Sequence, residues 1–378
     1  MIEEGLTEDE VLSILKDMRA RDHVYDRFFS TMCTQPHPIA VIAHNMFLET
    51  NLGDPGLFPG IAEIERRAIR AMGDLLGCPS ASGYISTGGT ESNIQAIHAA
   101  RNESGIKGGN IVVPASAHFS FDKIGDILCL GVRKAELDDS LKVDISSVEG
   151  LVDERTVAIV GIAGTTEFGQ VDPIDVLAKI ARKNGIHLHV DAAFGGFVLP
   201  FLEGGFKWDF RVDGVSSITI DPHKMGLSTI PAGGLLFRES GDLEVLETET
   251  HYLTKARQAS LTGTRSGAAA AATYAVMMHL GRNGFKKLVD YCMDLTRYIV
   301  SGARDIGVEP VIDPVMNVVA LKVQEPAKVR QELMNLGWHV SMTREPHRAL
   351  RLILMRHITR ENIDLFLKDL DSVLRSNR

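Results

Sequence analysis

Paired cysteines, basic runs and long apolar stretches are all missing from this sequence of 378 residues, and each absence closes off a class of function. The four cysteines (Cys33, Cys78, Cys129 and Cys292) are scattered, with no CxxC among them. That argues against a zinc knuckle or a disulfide framework and fits a reducing compartment. No apolar run reaches the roughly 18 residues of a membrane span; the best candidate, the alanine-rich stretch from Ala268 to Met278, is too short. Lysine and arginine together number 40 against 49 acidic residues, a formal charge of −9 without a basic block. Neither nucleic acid nor an anionic membrane is therefore expected as a partner. A local basic pocket for a small anion stays compatible with that balance. The opening stretch, MIEEGLTEDEVLSILKDM, is acidic and amphipathic, unlike a signal peptide. A soluble, cytoplasmic protein is the expectation.

What is present is an ordinary folding composition, 44% hydrophobic and 24% charged, which argues against disorder. The length suits one large α/β domain plus a smaller one. Thr7 and Glu10 form a capping box, and helical spacing runs from Thr7 to about Phe29. Residues 51–60 (NLGDPGLFPG) read as a loop, followed by a helix from about Ile61 to Leu76. From Tyr84 to Arg238, apolar runs rich in β-branched residues (Ile111–Val113, Val157–Ile162, Ile186–Val190, Val215–Ile220) alternate with helical segments. Such alternation predicts a mostly parallel sheet covered by helices, with ligands beyond the carboxyl ends of its strands. Helices near Gly267–Leu280 and Phe285–Ala303 then lead to a smaller α+β unit. The expected division is an N-terminal segment (1–50), a large domain (51–285) and a small C-terminal domain (286–378), with no repeat or low-complexity linker.

Four segments carry candidate chemistry: STGGTESN (86–93), His118, HVDAA (189–193) and DPHK (221–224). In the first, Gly88, Gly89 and Thr90 stand at a helix start, where glycine allows close backbone approach and free N–H groups favour phosphate. Taken alone it reads more readily as an N-cap after a turn, and the Gly-Lys-Ser/Thr of a Walker A loop is missing. Asp191 ends an apolar strand, where a carboxylate can face a cleft and hold a cationic ring nitrogen. A rival exists there: His187, His189 and Asp191 alternate on one sheet face as metal ligands would, although no fourth ligand motif is evident. Lys224 follows Asp-Pro-His at another strand end; partial desolvation would lower its pKa and make it a usable nucleophile. A phosphate turn, an aspartate on a strand and a lysine are together the three groups that pyridoxal 5'-phosphate needs.

The order STGGTESN, SAHFSFDK, GTTEFGQVDP, HVDAAFGG, DPHK resembles the group II pyridoxal-phosphate-dependent amino-acid decarboxylases of fold type I, nearest the archaeal branch acting on L-tyrosine and L-aspartate. The resemblance spans nearly the whole chain. It implies that Lys224 carries the cofactor as a Schiff base, that Asp191 pairs with its ring nitrogen, and that Ala193 and His118 cover the two ring faces. Gly88, Gly89 and Thr90 would hold the phosphate with His223 close by, and Thr165 and Thr166 would lie near cofactor or substrate. LTGTRSG (261–267), with Gly263 and Thr264, resembles the loop that reaches the partner subunit's phosphate, which implies a homodimer with shared active sites. Tyr252, in HYLT, matches a mobile-loop proton donor. Arg351 matches the arginine that binds the substrate carboxylate, a task suited to its planar fork. His37, in QPHP, would border the substrate. No metal is implied.

Two classes compete with this reading. Another fold type I lyase, of the phosphosphingosine or cysteine desulfurase kind, shares much of the motif order; a zinc hydrolase would use His187, His189 and Asp191. A desulfurase needs a reactive cysteine on a flexible loop, and none of the four sits in an obvious one.

Overall fold

The computed structural model describes residues 1–377. The N-terminal arm holds helices α1 (Glu8–Arg19), α2 (Pro38–Met46) and α3 (Pro59–Leu75). The Thr7–Glu10 capping box forms in full, but α1 stops well short of Phe29. After a single turn at Tyr25–Arg27, the chain is drawn into extended pairing: Phe29 N–H donates to His339 O (2.9 Å) and Ile353 N–H donates to Phe29 O (2.7 Å). Those tertiary bonds override the helical spacing.

The alternating region runs β1 (Ser82–Ser86), α4 (Gly89–Ser104), β2 (Asn110–Pro114), α5 (Ser120–Leu128), β3 (Gly131–Ala135), α6 (Ile145–Leu151), β4 (Thr156–Ile162), α7 (Ile174–Asn184), β5 (His187–Asp191), β6 (Ser217–Ile220) and β7 (Gly233–Phe237). These strands form one seven-stranded sheet in the order β1-β7-β6-β5-β4-β2-β3. Strands β2 to β6 run parallel, and β7 lies antiparallel between β6 and β1. The central strands are buried along their whole length, as both-faced coverage requires, whereas β3 at the edge is buried only at Ala135. The short strands β1, β3 and β7 lack a β-branched apolar run and were not among the expected ones; GGLLF becomes a strand because it fills the gap between β6 and β1.

The chain continues through α8 (Ser240–Glu244) and a small hairpin, β8 (Thr248–Glu249) and β9 (Arg257–Gln258). The two expected helices are both present in α9 (Gly267–Asp305), broken from one another at Gly281, whose non-helical φ of +54° and ψ of −173° a glycine tolerates. Its first half packs among the buried residues beneath the large sheet. Its second half gives Leu295, Ile299 and Val300 to a second core. That core is completed by β10 (Val318–Leu321), α10 (Pro326–Asn335), β11 (Ser341–Met342), β12 (Leu350–Ile353) and α11 (Arg360–Ser376), the strands pairing antiparallel in the order β10-β12-β11. Phe29 is buried there against Trp338 and Phe366, so the N-terminal arm is stitched into the C-terminal unit. Among the described residues no helix is long and apolar enough to cross a membrane.

Candidate active site

The carboxyl ends of β2, β4, β5 and β6 and the turn after β1 converge on one cavity of about 290 Å³. Gly88, Gly89, Thr90, His118, Asp191, Ala193, His223 and Lys224 all line it. The turn works because its glycines have no Cβ. Gly88 has a φ of +145°, and a Cβ on Gly89 would lie 3.0 Å from Asp221 Oδ2 and 3.2 Å from the Ala193 Cβ. Helix α4 begins there, so the N–H groups of its first turn, which no helical carbonyl can reach, face the cavity with the positive end of the helix dipole. Across the cavity, Asp191 is held by two donors: Ala193 N–H to Oδ1 (3.0 Å) and Asn93 Nδ2 to Oδ2 (2.9 Å).

The lysine departs from expectation. Burial works against its charge, but the carboxylates of Asp221 and Asp191 outweigh it, and the Lys224 pKa is raised rather than lowered. Its Nζ sits 2.9 Å from Asp221 Oδ2. His118 shifts the other way, since burial holds its imidazole below the usual range despite the same two carboxylates. A neutral ring therefore stands in the cavity wall, its Nδ1 accepting the Ser120 N–H at 3.2 Å. Among the described residues, two buried polar atoms in the same wall, Asp221 Oδ1 and Ser116 Oγ, have no partner. A cradle of N–H groups, a fixed carboxylate, an amine and two unpaired buried oxygens make a site shaped for a polar organic phosphate.

The family model described as "Pyridoxal-dependent decarboxylase conserved domain" matches residues 23–324. This chain belongs to that family. A relative from Methanothrix thermoacetophila, named "Probable L-tyrosine/L-aspartate decarboxylase", is 70% identical over 376 residues, 100% of this chain and 98% of the relative. One from Archaeoglobus fulgidus, named "Probable L-aspartate decarboxylase", is 52% identical over 366 residues, covering 97% of this chain and 100% of the relative. Among solved structures, a Burkholderia pseudomallei sphingosine-1-phosphate lyase superposes with a TM-score of 0.91 at 26% identity, over 99% of this chain and 92% of that one. A Lactobacillus brevis glutamate decarboxylase gives 0.90 at 23% identity, over 100% and 94%. The pyridoxal-dependent decarboxylase is thus a carboxy-lyase of the pyridoxal-phosphate fold type I, and the cavity residues fit its cofactor.

Not every candidate reaches the cavity. Thr165 is fully buried with its hydroxyl accepting the Gln170 N–H (3.0 Å); its neighbour Thr166 forms the wall instead. Arg351, on β12, lies behind that wall, donating from Nε to Thr166 O (2.5 Å) and from Nη1 to Ser341 Oγ (3.0 Å). Burial brings Arg351 down to about 10, with Glu167 opposing, so it stays charged at neutral pH. His37 caps α2, its Nδ1 accepting the Ile39 N–H at 3.3 Å, and its ring faces His279 with centroids 4.9 Å apart. Tyr252 is 87% exposed in the β8–β9 hairpin, and Gly263 and Thr264 are exposed before α9. His187 and His189 do share a sheet face with Asp191, yet both rings are hydrogen-bonded to Ser217 Oγ at 2.8 Å. Among the described residues no cluster of three or more His, Cys, Asp or Glu is arranged to hold a metal.

Sequence reasoning passed over Asn93, Asp221, Ser116 and Met32, which also line the cavity. A signal existed for two of them. Asn93 stands four residues after Gly89 on one helix face, and Asp221 opens the DPHK turn three residues before Lys224.

Proposed function

We propose that this decarboxylase converts L-tyrosine to tyramine, L-aspartate to β-alanine, or both, as its relatives' names suggest. The observation that carries the reading is the meeting of Lys224, Asp191 and the Gly88–Thr90 turn on a single cavity. When bound, pyridoxal phosphate supplies an electron sink conjugated to the substrate Cα. Gly88, Gly89 and Thr90 would hold the phosphate, with His223 beside them. Asp191, fixed by Asn93 and the Ala193 N–H, would hold a proton on the ring nitrogen. Ala193 and neutral His118 would flank the ring. Lys224 Nζ would make the covalent link, and its proton can pass to Asp221 Oδ2 at 2.9 Å. Arg351 would bind the α-carboxylate beside Thr166; among the described residues its Nη2 makes no hydrogen bond. Thr165 would act by keeping the Thr166 turn closed, and His37 by bordering the substrate's entry. Tyr252 would return a proton to Cα.

Gly263, Thr264 and Tyr252 would act on the neighbouring site of a homodimer. Their exposure supports this, as does α1, none of whose residues is buried although Val11, Ile14, Leu15 and Met18 form an apolar stripe. Cytoplasmic synthesis of methanofuran or coenzyme A, which draw on tyramine and β-alanine, is the setting in which such an enzyme would work.

The test is a spectrum of the purified protein with added pyridoxal phosphate, followed by tyrosine, aspartate, glutamate and cysteine with detection of CO₂ and amine. A visible band removed by borohydride, with tyramine or β-alanine formed, is the expected result. A band without CO₂ from any of the four would move the reaction to another lyase.

A further inference from the structure

A run of hydrogen bonds starts at Asp191 in the cavity and crosses to the opposite rim of the sheet. Asn93 Nδ2 meets Asp191 Oδ2 at 2.9 Å, and Asn93 Oδ1 meets His189 Nε2 at 3.0 Å. His189 Nδ1 lies 2.8 Å from Ser217 Oγ, which lies 2.8 Å from His187 Nε2. Beyond it, Glu103 Oε2 stands 3.6 Å from His187 Nδ1 at the solvent edge. The sheet itself creates this line. His187, His189 and Asp191 alternate on β5, and Ser217 is the register partner of His189 on β6.

One fixed end sets the direction of every bond. A carboxylate only accepts, so the Asn93 amide nitrogen faces Asp191 and its oxygen faces His189. The oxygen needs a donor, which makes Nε2 of His189 the protonated nitrogen. Full burial pushes the His189 imidazole down to about 3, so it carries no second proton. Its Nδ1 must then accept, and the Ser217 hydroxyl must donate to it. The Ser217 oxygen is left to accept from His187 Nε2. Thr219 Oγ1, 3.3 Å from His189 Nε2, can share that proton but cannot reverse the order.

We propose that Ser217 and His187 are positioning residues for Asp191, reinforcing the Nε2–H tautomer of His189 that the carboxylate end sets and so holding the Asn93 amide in place against Asp191. The proposal rests on the reading of Asp191 as partner of the cofactor's ring nitrogen. Without the Ser217 hydroxyl, His189 can place its proton on Nδ1. Its bare Nε2 would then face the Asn93 oxygen, the amide would turn over, and an oxygen would confront Asp191.

The test begins with ¹⁵N NMR of cofactor-free protein labelled at histidine, His189 being assigned by its loss in His189→Asn. Wild type is expected as the Nε2–H tautomer and Ser217→Ala as a mixture or the Nδ1–H form. In the loaded enzyme, Ser217→Ala should weaken pyridoxal-phosphate binding and lower kcat about tenfold each, the cost of one mispaired buried group, with KM unchanged. His187→Leu should lower kcat about threefold, and His187→Gln, which keeps a donor, should restore it. An Nδ1–H tautomer in wild type, or none but the Nε2–H form in Ser217→Ala, overturns the chain whatever the substrate. A changed tautomer with unchanged kcat and cofactor affinity overturns the positioning role and leaves the assigned reaction standing. Should Ser217→Ala fail to fold, the wild-type tautomer and the two His187 variants decide the matter.

Discussion

The cavity at the strand ends is built within one chain, whereas the segment from α8 to α9 stands outside it. Three of the cavity's groups are tied down: Asp191 by Asn93 and Ala193, Lys224 by Asp221, His118 by Ser120. The other segment is held to the N-terminal loop by Thr254 N–H to Asp54 Oδ1 (3.0 Å), by Gln258 Nε2 to Gly53 O (3.1 Å) and by Arg265, which pairs with Glu65 and donates to Leu52 O (3.2 Å). Its tip, with Tyr252, Gly263 and Thr264, faces outward. A parallel sheet fixes the directions of its strand ends before any ligand arrives; a surface hairpin takes its position from whatever packs on it. In the proposed homodimer, the difference would separate what one chain does alone from what a second supplies.

The largest effect should come from the cavity. Lys224→Ala is expected to abolish turnover and the visible band while leaving the fold intact by circular dichroism; retained turnover would refute the role given to Lys224. Asp191→Asn should keep cofactor binding yet lose on the order of a hundredfold or more in kcat, since a neutral amide cannot hold the ring proton in a water-poor site. An unchanged rate removes Asp191 from the electron-sink chemistry.

The comparison itself breaks or holds on Tyr252. Tyr252→Phe should lower kcat about a hundredfold if the hydroxyl is a general acid. Mixing that variant with Lys224→Ala sharpens the point. If Tyr252 serves the neighbouring subunit, hybrid dimers regain one intact site and measurable activity returns. If no activity returns from verified hybrids, the hairpin acts on its own chain or not at all. A smaller effect is expected at Arg351, where Arg351→Lys should raise KM about tenfold with little change in kcat, because a single ammonium cannot keep the Thr166 and Ser341 contacts and also present a donor to the carboxylate.

The same division explains how much was legible in the sequence. Sites at strand ends could be read because apolar runs mark where strands stop: Asp191 follows one directly, and Lys224 follows another after Asp-Pro-His. Three further elements could not. Strand β7 is glycine-rich and gains its identity from the neighbours it joins; α1 ends early because Phe29 is claimed by β12 and Trp338 across the chain. The charge on Lys224 depended on Asp221, three residues away along the chain but 2.9 Å from Nζ in the fold. Local patterns carry spacing; they do not carry which carboxylate a buried amine meets. Thr165 and Thr166 make the same point, for adjacent residues in a turn face opposite ways and only backbone geometry says which faces the cavity.

The smallest predicted effect concerns the preformed side and its response to acid. Asp172 closes the turn that carries Thr166, accepting the Val143 N–H and the Ile162 N–H at 2.8 Å each. Burial nonetheless pushes its carboxyl up from 3.8 to about 6. Burial also pushes His189 down from 6.5 to about 3. The two groups act in opposite senses. His189 contributes stability that is complete above pH 6.5 and declines as acid is added toward pH 3, because the unfolded state binds its proton first. Asp172 contributes stability that is complete below pH 3.8 and is lost as pH rises through about 6, because here the folded state binds first. Each slope is at most about 1.4 kcal/mol per pH unit, so over the shared window they nearly cancel. Asp172→Asn removes one of them. Denaturant titrations of the cofactor-free protein should show the variant losing stability relative to wild type as pH falls from about 6 toward 4. A constant difference between the two proteins across that range would mean that Asp172 is ionised in the fold, and that the Thr166 turn is held by a charged group.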